Sequence, residues 1–235
     1  MYSEDAFQSE RVLYEDNHLL IINKKAGELV QGDKTGDKPL SELLKTFLKQ
    51  KYEKPGEVFL GVTHRIDRPV SGLVIFAKTS KALERLNEMF REKKIQKTYW
   101  AVVQNKPTKE EGVLVDFLTK NEVTNKSYAR KEESKNTLRS ELEYKLTLQI
   151  DRYYLLEINP LTGRHHQIRV QLSNMGSPIK GDVKYGFKRP NSDGSIHLHA
   201  RSIEFMHPVK NELLTISADP PNDPVWNAFM KIYKA

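Results

Sequence analysis

Apolar residues in this chain gather into short runs and regular alternations, punctuated by loops rich in glycine, proline and charge. Residues 12–14 and 19–22 are strand-sized apolar runs, and Asp16-Asn17 between them suits a turn. Residues 31–38, QGDKTGDK, read as a polar loop. Pro39 can then open a helix that puts Leu40, Leu43, Leu44, Phe47 and Leu48 on one face. A second loop surrounds Pro55-Gly56, and residues 73–78 read as a buried strand. Ser80 suits the N-cap of the next helix, where Leu83, Leu86 and Phe90 form an apolar stripe. Residues 98–104 form another strand-like run. Residues 119–141 are polar and dense in charge, which predicts an exposed connection or arm. Tyr144, Leu146, Leu148 and Ile150 alternate strictly, and Asp151-Arg152 separates them from the run 153–158, so a hairpin is expected. A helix is expected from about Arg164 to Met175, stopping at Gly176. The tail reads as a strand, a turn at Pro220, Pro221 and Pro224, and a short helix.

Strands cluster in hairpins and helices are few. The expected class is α+β, with a mixed, largely antiparallel sheet flanked by helices rather than a regular βαβ series. No internal repeat is present and no boundary divides residues 1–235, so a single catalytic-sized domain is expected.

Composition narrows the function classes. The 235 residues carry a net charge of +7 and a pI near 9.3, which suits a polyanionic partner, because phosphates attract Lys and Arg and release counterions. Cysteine is absent, which excludes disulfides, thiolate catalysis and thiolate metal sites. The N-terminal MYSEDAFQSERV has no apolar centre, so no signal peptide is expected, and the longest apolar runs are too short to span a bilayer. A cytoplasmic location is expected.

Three segments combine reactive polar residues with glycine or proline. In Thr63-His64-Arg65-Ile66-Asp67-Arg68-Pro69-Val70-Ser71-Gly72 an acid lies between two arginines, ahead of a buried strand. Neighbouring cations favour the carboxylate, and an ionised Asp can serve as a covalent nucleophile. By spacing alone an ion-pair cluster is the simpler reading. Gln96-Lys97-Thr98-Tyr99-Trp100-Ala101-Val102 follows a basic helix, so an aromatic here could stack on a base. Tyr99 and Trp100 are adjacent, however, so one of them must face the core. In Pro160-Leu161-Thr162-Gly163-Arg164-His165-His166-Gln167-Ile168-Arg169, a helix would put His165 and Arg169 on one face. Gly163 would allow an unusual backbone at its entry, and Arg164 would oppose the helix dipole. A metal site on His165, His166, His197 and His199 is disfavoured, since no acid completes a ligand set. The reactive segments offer one acid, which does not suit a two-carboxylate glycosidase, and no GxSxG elbow is present.

At these segments the sequence resembles the RluA family of pseudouridine synthases. His64-Arg65-Ile66-Asp67-Arg68 with Ser71-Gly72-Leu73 is similar to its HRLDRxxSGL motif, with Ile66 in place of Leu. Lys97-Thr98-Tyr99 with Ala101 is similar to K-x-Y-x-A. Thr162-Gly163-Arg164 with His166-Gln167-Ile168-Arg169 is similar to TGRxHQIR, with His165 where Thr or Ser is usual. Further matches are Tyr14-Glu15-Asp16 with Ile22-Asn23-Lys24, Gly181-Asp182 with Tyr185-Gly186, and Leu198-His199-Ala200. The resemblance implies isomerisation of uridine in rRNA or tRNA to pseudouridine, by a monomer that needs no cofactor or metal. Asp67 would be the nucleophile, on the ribose or on the ring. Tyr99 would stack on the base. Arg169, or alternatively Arg164, would pair with Asp67. His64, Arg65, Arg68, Arg164, His166, Gln167 and Leu198 would hold the RNA, with Arg65 filling the gap left by a flipped base. About eleven residues precede the first motif, so the small N-terminal RNA-binding domain of many relatives is expected to be absent. A non-catalytic RNA-binding or ribosome-assembly factor on the same fold is the alternative reading.

Overall fold

The computed structural model of the chain describes residues 7–33 and 35–234. Lys34 of the predicted loop and residues 1–6 of the N-terminal segment lie outside the described residues. In chain order the elements are β1 (Val12–Glu15), β2 (Leu19–Lys24), α1 (Leu40–Lys51), β3 (Gly61–Val62), β4 (Ser71–Ala77), α2 (Ser80–Arg91), β5 (Gln96–Val103), β6 (Glu111–Asn121), β7 (Lys126–Arg130), β8 (Leu138–Ile150), β9 (Tyr153–Pro160), α3 (Gln167–Asn174), β10 (Leu198–Met206), β11 (Leu213–Ser217) and α4 (Pro224–Tyr233). The class is α+β with largely antiparallel pairing, as the hairpin patterns predict. The chain divides into two compact units, residues 1–96 with 202–219, and residues 97–201 with 220–235.

In the first unit β2 lies between β1 and β4, and β3 adds to the far edge of β4. All seven residues of β4 are buried, which explains its continuous apolar run: both of its faces are covered. Leu40, Leu44 and Leu48 of α1 and Ala82 and Leu86 of α2 are buried, each large side chain contributing about 1.5–3 kcal/mol. The cap of α2 differs from expectation. Thr79, not Ser80, accepts the N–H of Ala82, because Ser80 is already the first helical residue. The Asp16 carboxylate accepts from the backbone N–H groups of His18 and Leu19 and faces Lys210 and His207. The Tyr14-Glu15-Asp16 motif is thus a turn device that also anchors the loop after β10.

In the second unit the strand order is β5-β9-β8-β6-β7. The period of two separates its faces. Trp100, Val102 and Leu155 pack with Trp226 and Phe229 of α4. On the opposite face Leu118 packs with Val170 of α3 and with Tyr185. Tyr99 lies opposite Ile158, which in turn lies opposite Tyr144, so Tyr99 is on the α3 side. Of the two adjacent aromatics, Trp100 is therefore the core residue.

One expectation is sharpened here and one corrected. Residues 119–141, mostly exposed as expected of a connection or arm, are built as strand: they complete β6, form β7 and begin β8. The alternation was invisible because the inward positions of β7 are Ser127 and Ala129, too small and polar to register as apolar. The helix expected from Arg164 begins only at Gln167. His166, at φ 53°, occupies the left-handed region and breaks the helical path ahead of it. Arg164 therefore does not stand in the first turn against the dipole, and His165 does not share a helical face with Arg169. Gly163 is not among the positive-φ residues, so the unusual backbone falls on a histidine instead. The other end is as predicted: Gly176, at φ 91°, closes α3 while Ser177 N–H bonds Leu172 O at 3.0 Å.

The His197 imidazole ties α4 in place. It sits 2.9 Å from Asp223, the N-cap of α4, and 3.0 Å from Asn191. The Asn191 amide donates to Nδ1, so Nε2 carries the proton toward Asp223. Burial pushes the His197 pKa below the usual 6.5, more strongly than Asp223 raises it. Its folded pKa thus lies below its unfolded one, so the unfolded chain takes up the proton first. Stability should fall as pH drops below about 6.5 and level off once the folded value is passed. Denaturant melts of wild type and His197→Gln between pH 7.5 and 5 check this: the variant should lose less stability across that window.

Candidate active site

In the first unit Asp67 begins a tight turn, its carbonyl accepting from Val70 N–H at 3.0 Å. Pro69 sits inside the turn and leads the chain into β4. Asp67 is partly exposed, whereas Ile66 before it is buried at the base of the segment. The segment is held from several directions. Thr63 donates its hydroxyl to Ile75 O at 2.7 Å, and Ile75 N–H donates to His64 Nε2 at 3.0 Å. His64 therefore uses Nε2 as an acceptor, and its ring packs on Phe90 at 4.8 Å. Arg68 donates from Nε to Gly27 O and pairs with Asp37 at 2.7 Å. Arg65 is exposed.

Beneath this turn lies Lys24, which is fully buried. Its ammonium donates to the carbonyls of Lys25, Glu28 and Arg68 at 2.9, 2.9 and 3.2 Å. Burial pushes its pKa down to about 7, against the opposing pull of Glu28 and of Asp67. Lys24 thus places a donor group under the nucleophile candidate and fixes the carbonyl of the residue next to it. In the sequence Asn23-Lys24 stands out only as a motif match. Its burial has no sequence signal, because lysine is ordinarily exposed.

In the second unit Tyr99 is half-buried on β5. Lys97, two residues earlier, shares its face, and burial lowers the Lys97 pKa. Arg169, on α3, is 5% exposed and forms a two-pronged pair with Asp182: Nε to Oδ2 at 2.7 Å and Nη2 to Oδ1 at 2.9 Å. Its guanidinium lies 5.1 Å from the Tyr185 ring centre. The Tyr185 hydroxyl accepts from Ser127 N–H at 2.8 Å and meets His166 Nδ1 at 2.9 Å. His166 stacks on His165 with centroids 3.7 Å apart, and Ser127 Oγ meets His165 Nδ1 and the His165 carbonyl. Asp182 and Tyr185, given no role by sequence, therefore anchor the arginine that was given one. The signal was present in Gly181-Asp182 with Tyr185-Gly186.

The remaining predicted residues divide by exposure. Arg164 is exposed in the loop ahead of α3. Gln167 is buried, and its amide stitches that loop: Oε1 accepts from Thr162 Oγ1 and Arg164 N–H, and Nε2 donates to Glu141 O. Leu198 is buried at the start of β10. Among the described residues no three His, Cys, Asp or Glu side chains group as a metal would need. No helix among them is long and apolar enough to cross a membrane.

Gly181 shows how tightly the Asp182 turn is packed. Its φ is +86°, and an added Cβ would come within 2.6 Å of Asn191 Nδ2 and 2.9 Å of Ser195 O. Gly181→Ala should therefore lower stability by about 2 kcal/mol or more, measurable by urea denaturation.

Known proteins fit this geometry. The profile described as RNA pseudouridylate synthase matches residues 18–174. A protein of Vibrio cholerae named "Ribosomal large subunit pseudouridine synthase C" is 37% identical over 213 residues, covering 88% of this chain and 64% of that protein. Its namesake in Pasteurella multocida is 35% identical, covering 92% and 65%. The chain thus spans slightly less than two thirds of these relatives' length. Two solved human structures share the fold. RNA Pseudouridylate Synthase Domain Containing 4 has a TM-score of 0.78 at 24% identity over 94% of this chain and 92% of its own. RNA Pseudouridylate Synthase Domain Containing 1 has a TM-score of 0.71 at 22% identity over 92% and 86%. With a family match over more than half its length and relatives above 30% identity, the chain belongs to the RNA pseudouridylate synthase family.

Proposed function

We propose that the protein converts specific uridines in structured RNA to pseudouridine, with both units acting as one catalytic domain. The observation that carries this reading is Asp67: an acid on a turn pinned by Lys24, His64 and Arg68, within a segment that matches the family's motif. The target base leaves the helical stack at a cost of a few kcal/mol. Asp67 then bonds covalently to the sugar or to the ring, the base detaches from ribose through its nitrogen, turns and rejoins through carbon, and the bond to Asp67 breaks to return the free carboxylate. The ring carbon that becomes the new link gives up its hydrogen, and the freed nitrogen gains one. Tyr99 stacks on the base and helps remove that proton. Arg169, held by Asp182, pairs with the Asp67 carboxylate, and the exposed Arg65 fills the gap in the RNA stack. No cofactor takes part, and the protein acts as a monomer in the cytoplasm.

Similarity to proteins named ribosomal large subunit pseudouridine synthase C supports large-subunit ribosomal RNA as the first substrate to try, with tRNA second. The test is incubation of the purified protein with unmodified large-subunit rRNA and tRNA transcripts, followed by site-resolved mapping of pseudouridine. Modification of discrete uridines is expected. Failure on every transcript would overturn the reading.

A further inference from the structure

We propose that Arg11 and Glu28 are positioning residues for Asp67: the segment 7–11 straps residues 25–28 against the Asp67 turn and so fixes the nucleophile. The proposal rests on the catalytic reading above. All the residues involved lie in the first unit.

The strap begins at a single turn of 3-10 helix, Ser9–Arg11, ahead of β1. The Arg11 guanidinium grips Glu28 with two prongs, Nη1 to Oε1 at 2.8 Å and Nη2 to Oε2, and its Nε donates to Asn23 O at 3.0 Å. The two side chains are 10% and 23% exposed, so this pair is better shielded from water than a surface pair such as Lys45–Glu42, at 33% and 50%. Phe7 covers the guanidinium at 4.8 Å from its ring centre and packs on Phe47 of α1 at 5.2 Å. Gln8 Oε1 accepts from Lys25 Nζ.

From Glu28 the contacts lead to the nucleophile. Glu28 Oε2 also accepts from Lys25 N–H at 2.9 Å, which closes residues 25–28 into a turn. The backbone of that turn meets Arg68. Gly27 N–H donates to Arg68 O at 2.8 Å, and Arg68 Nε donates back to Gly27 O at 2.9 Å. Lys24 Nζ joins Glu28 O to the same Arg68 O. Arg68 follows Asp67 directly, and Asp67 O closes the turn onto Val70 N–H. A continuous chain of hydrogen bonds therefore runs from Arg11 to the peptide beside the nucleophile.

A stabilising staple is the simpler alternative. The Phe7–Phe47 contact would serve that purpose, since it docks the segment on α1. It leaves unexplained the two-pronged grip on Glu28 and the use of that same carboxylate to close the 25–28 turn, whereas positioning accounts for both. A nucleophile needs such support, because a misplacement of about 1 Å can cost about a hundredfold in rate.

The test compares wild type with Arg11→Met, Glu28→Gln, their double variant and the conservative Arg11→Lys, on a large-subunit rRNA transcript. Single-turnover rate at saturating protein is measured beside RNA affinity, Tm and amide hydrogen exchange. Arg11→Met and Glu28→Gln should each lower the saturating rate by about tenfold or more, while affinity stays within about twofold of wild type. The double variant should be no slower than the worse single one, because the pair acts as a unit. Arg11→Lys should recover part of the rate. The Gly27 and Val70 amides, which bond Arg68 O and Asp67 O, should exchange faster in the slow variants, with β4 amides unchanged. A lowered Tm with the saturating rate and those two amides unchanged would make the strap a fold staple and overturn the proposal, as would a loss of affinity in place of rate. Should Arg11→Met fail to fold, the near-isosteric Glu28→Gln decides by the same readings. A wild type inactive on every transcript would overturn the catalytic reading instead, and exchange at Gly27 and Val70 would still decide the strap.

Discussion

Replacing Asp67 by Ala should reduce pseudouridine formation roughly a thousandfold or more, the size of loss seen when a covalent nucleophile is removed. The fold should survive, because Asp67 is partly exposed and the turn is held by backbone and neighbouring groups: Asp67 O to Val70 N–H, Lys24 to Arg68 O, and Arg68 to Gly27 O. RNA affinity should change little. Asp67→Asn should be nearly as inactive, since the amide keeps the shape but lacks the nucleophilic charge. Single-turnover assays with protein in excess separate this loss from binding. A merely structural Asp67 would give the opposite pattern: lower stability with residual turnover near that of wild type.

Asp182→Ala should have the largest effect on stability. It leaves the Arg169 guanidinium, 5% exposed, without the carboxylate that engages two of its nitrogens. Taking one carboxylate from a buried arginine that keeps its other contacts costs toward the low end of about 3–5 kcal/mol. For a chain of this size that should lower Tm on the order of 10 °C. The diagnostic is the double variant Asp182→Ala/Arg169→Met. Removing both charges should recover much of the lost stability, because the desolvation cost of the arginine disappears with it. Calorimetry of the three variants checks the cycle. Equal destabilisation in the single and double variants would mean that the Asp182 turn matters for its shape and not for its charge.

These effects show which parts of the molecule were readable in advance. The buried run of β4 and the stripe of α1 are strong periodic signals, and the structure carries them where the pattern put them; the alternation of β8 is interrupted by a bulge between Leu146 and Leu148, which turns Leu148 and Ile150 to the α4 side. The pairing of β5 turned the ambiguity of Tyr99 and Trp100 into an assignment, since strand geometry allows only one of them to meet α4. What failed was information that exists only in three dimensions. Nothing in Arg164-His165-His166 announces that His166 adopts φ 53° and delays α3 by three residues. That conformation is not readable because its support comes from Tyr185. The β6–β7 hairpin hid for a related reason: the inner positions of β7 are Ser127, held by the Tyr185 hydroxyl, and Ala129, which give no strong apolar alternation. Lys24 was the deepest miss, because its burial is made tolerable by three carbonyls brought together by the turn at Asp67 and by residues 25–28.

The candidate site follows the same division. The motif residues were legible as chemistry: an acid, an aromatic and an arginine. The residues that hold them were legible only as unexplained matches. Lys24 under the Asp67 turn, Asp182 on Arg169 and Tyr185 beneath it turn those matches into a mechanical account.

The most direct test of that account follows one hydrogen. Rejoining uracil through carbon must expel the hydrogen on that carbon to water. Large-subunit rRNA transcribed with uridine tritiated at that position should release tritium when incubated with wild-type protein. The release should plateau at a small whole number of uridines per molecule, with none from Asp67→Asn. Absence of release from both rRNA and tRNA transcripts, or equal release with Asp67→Asn, would contradict the account.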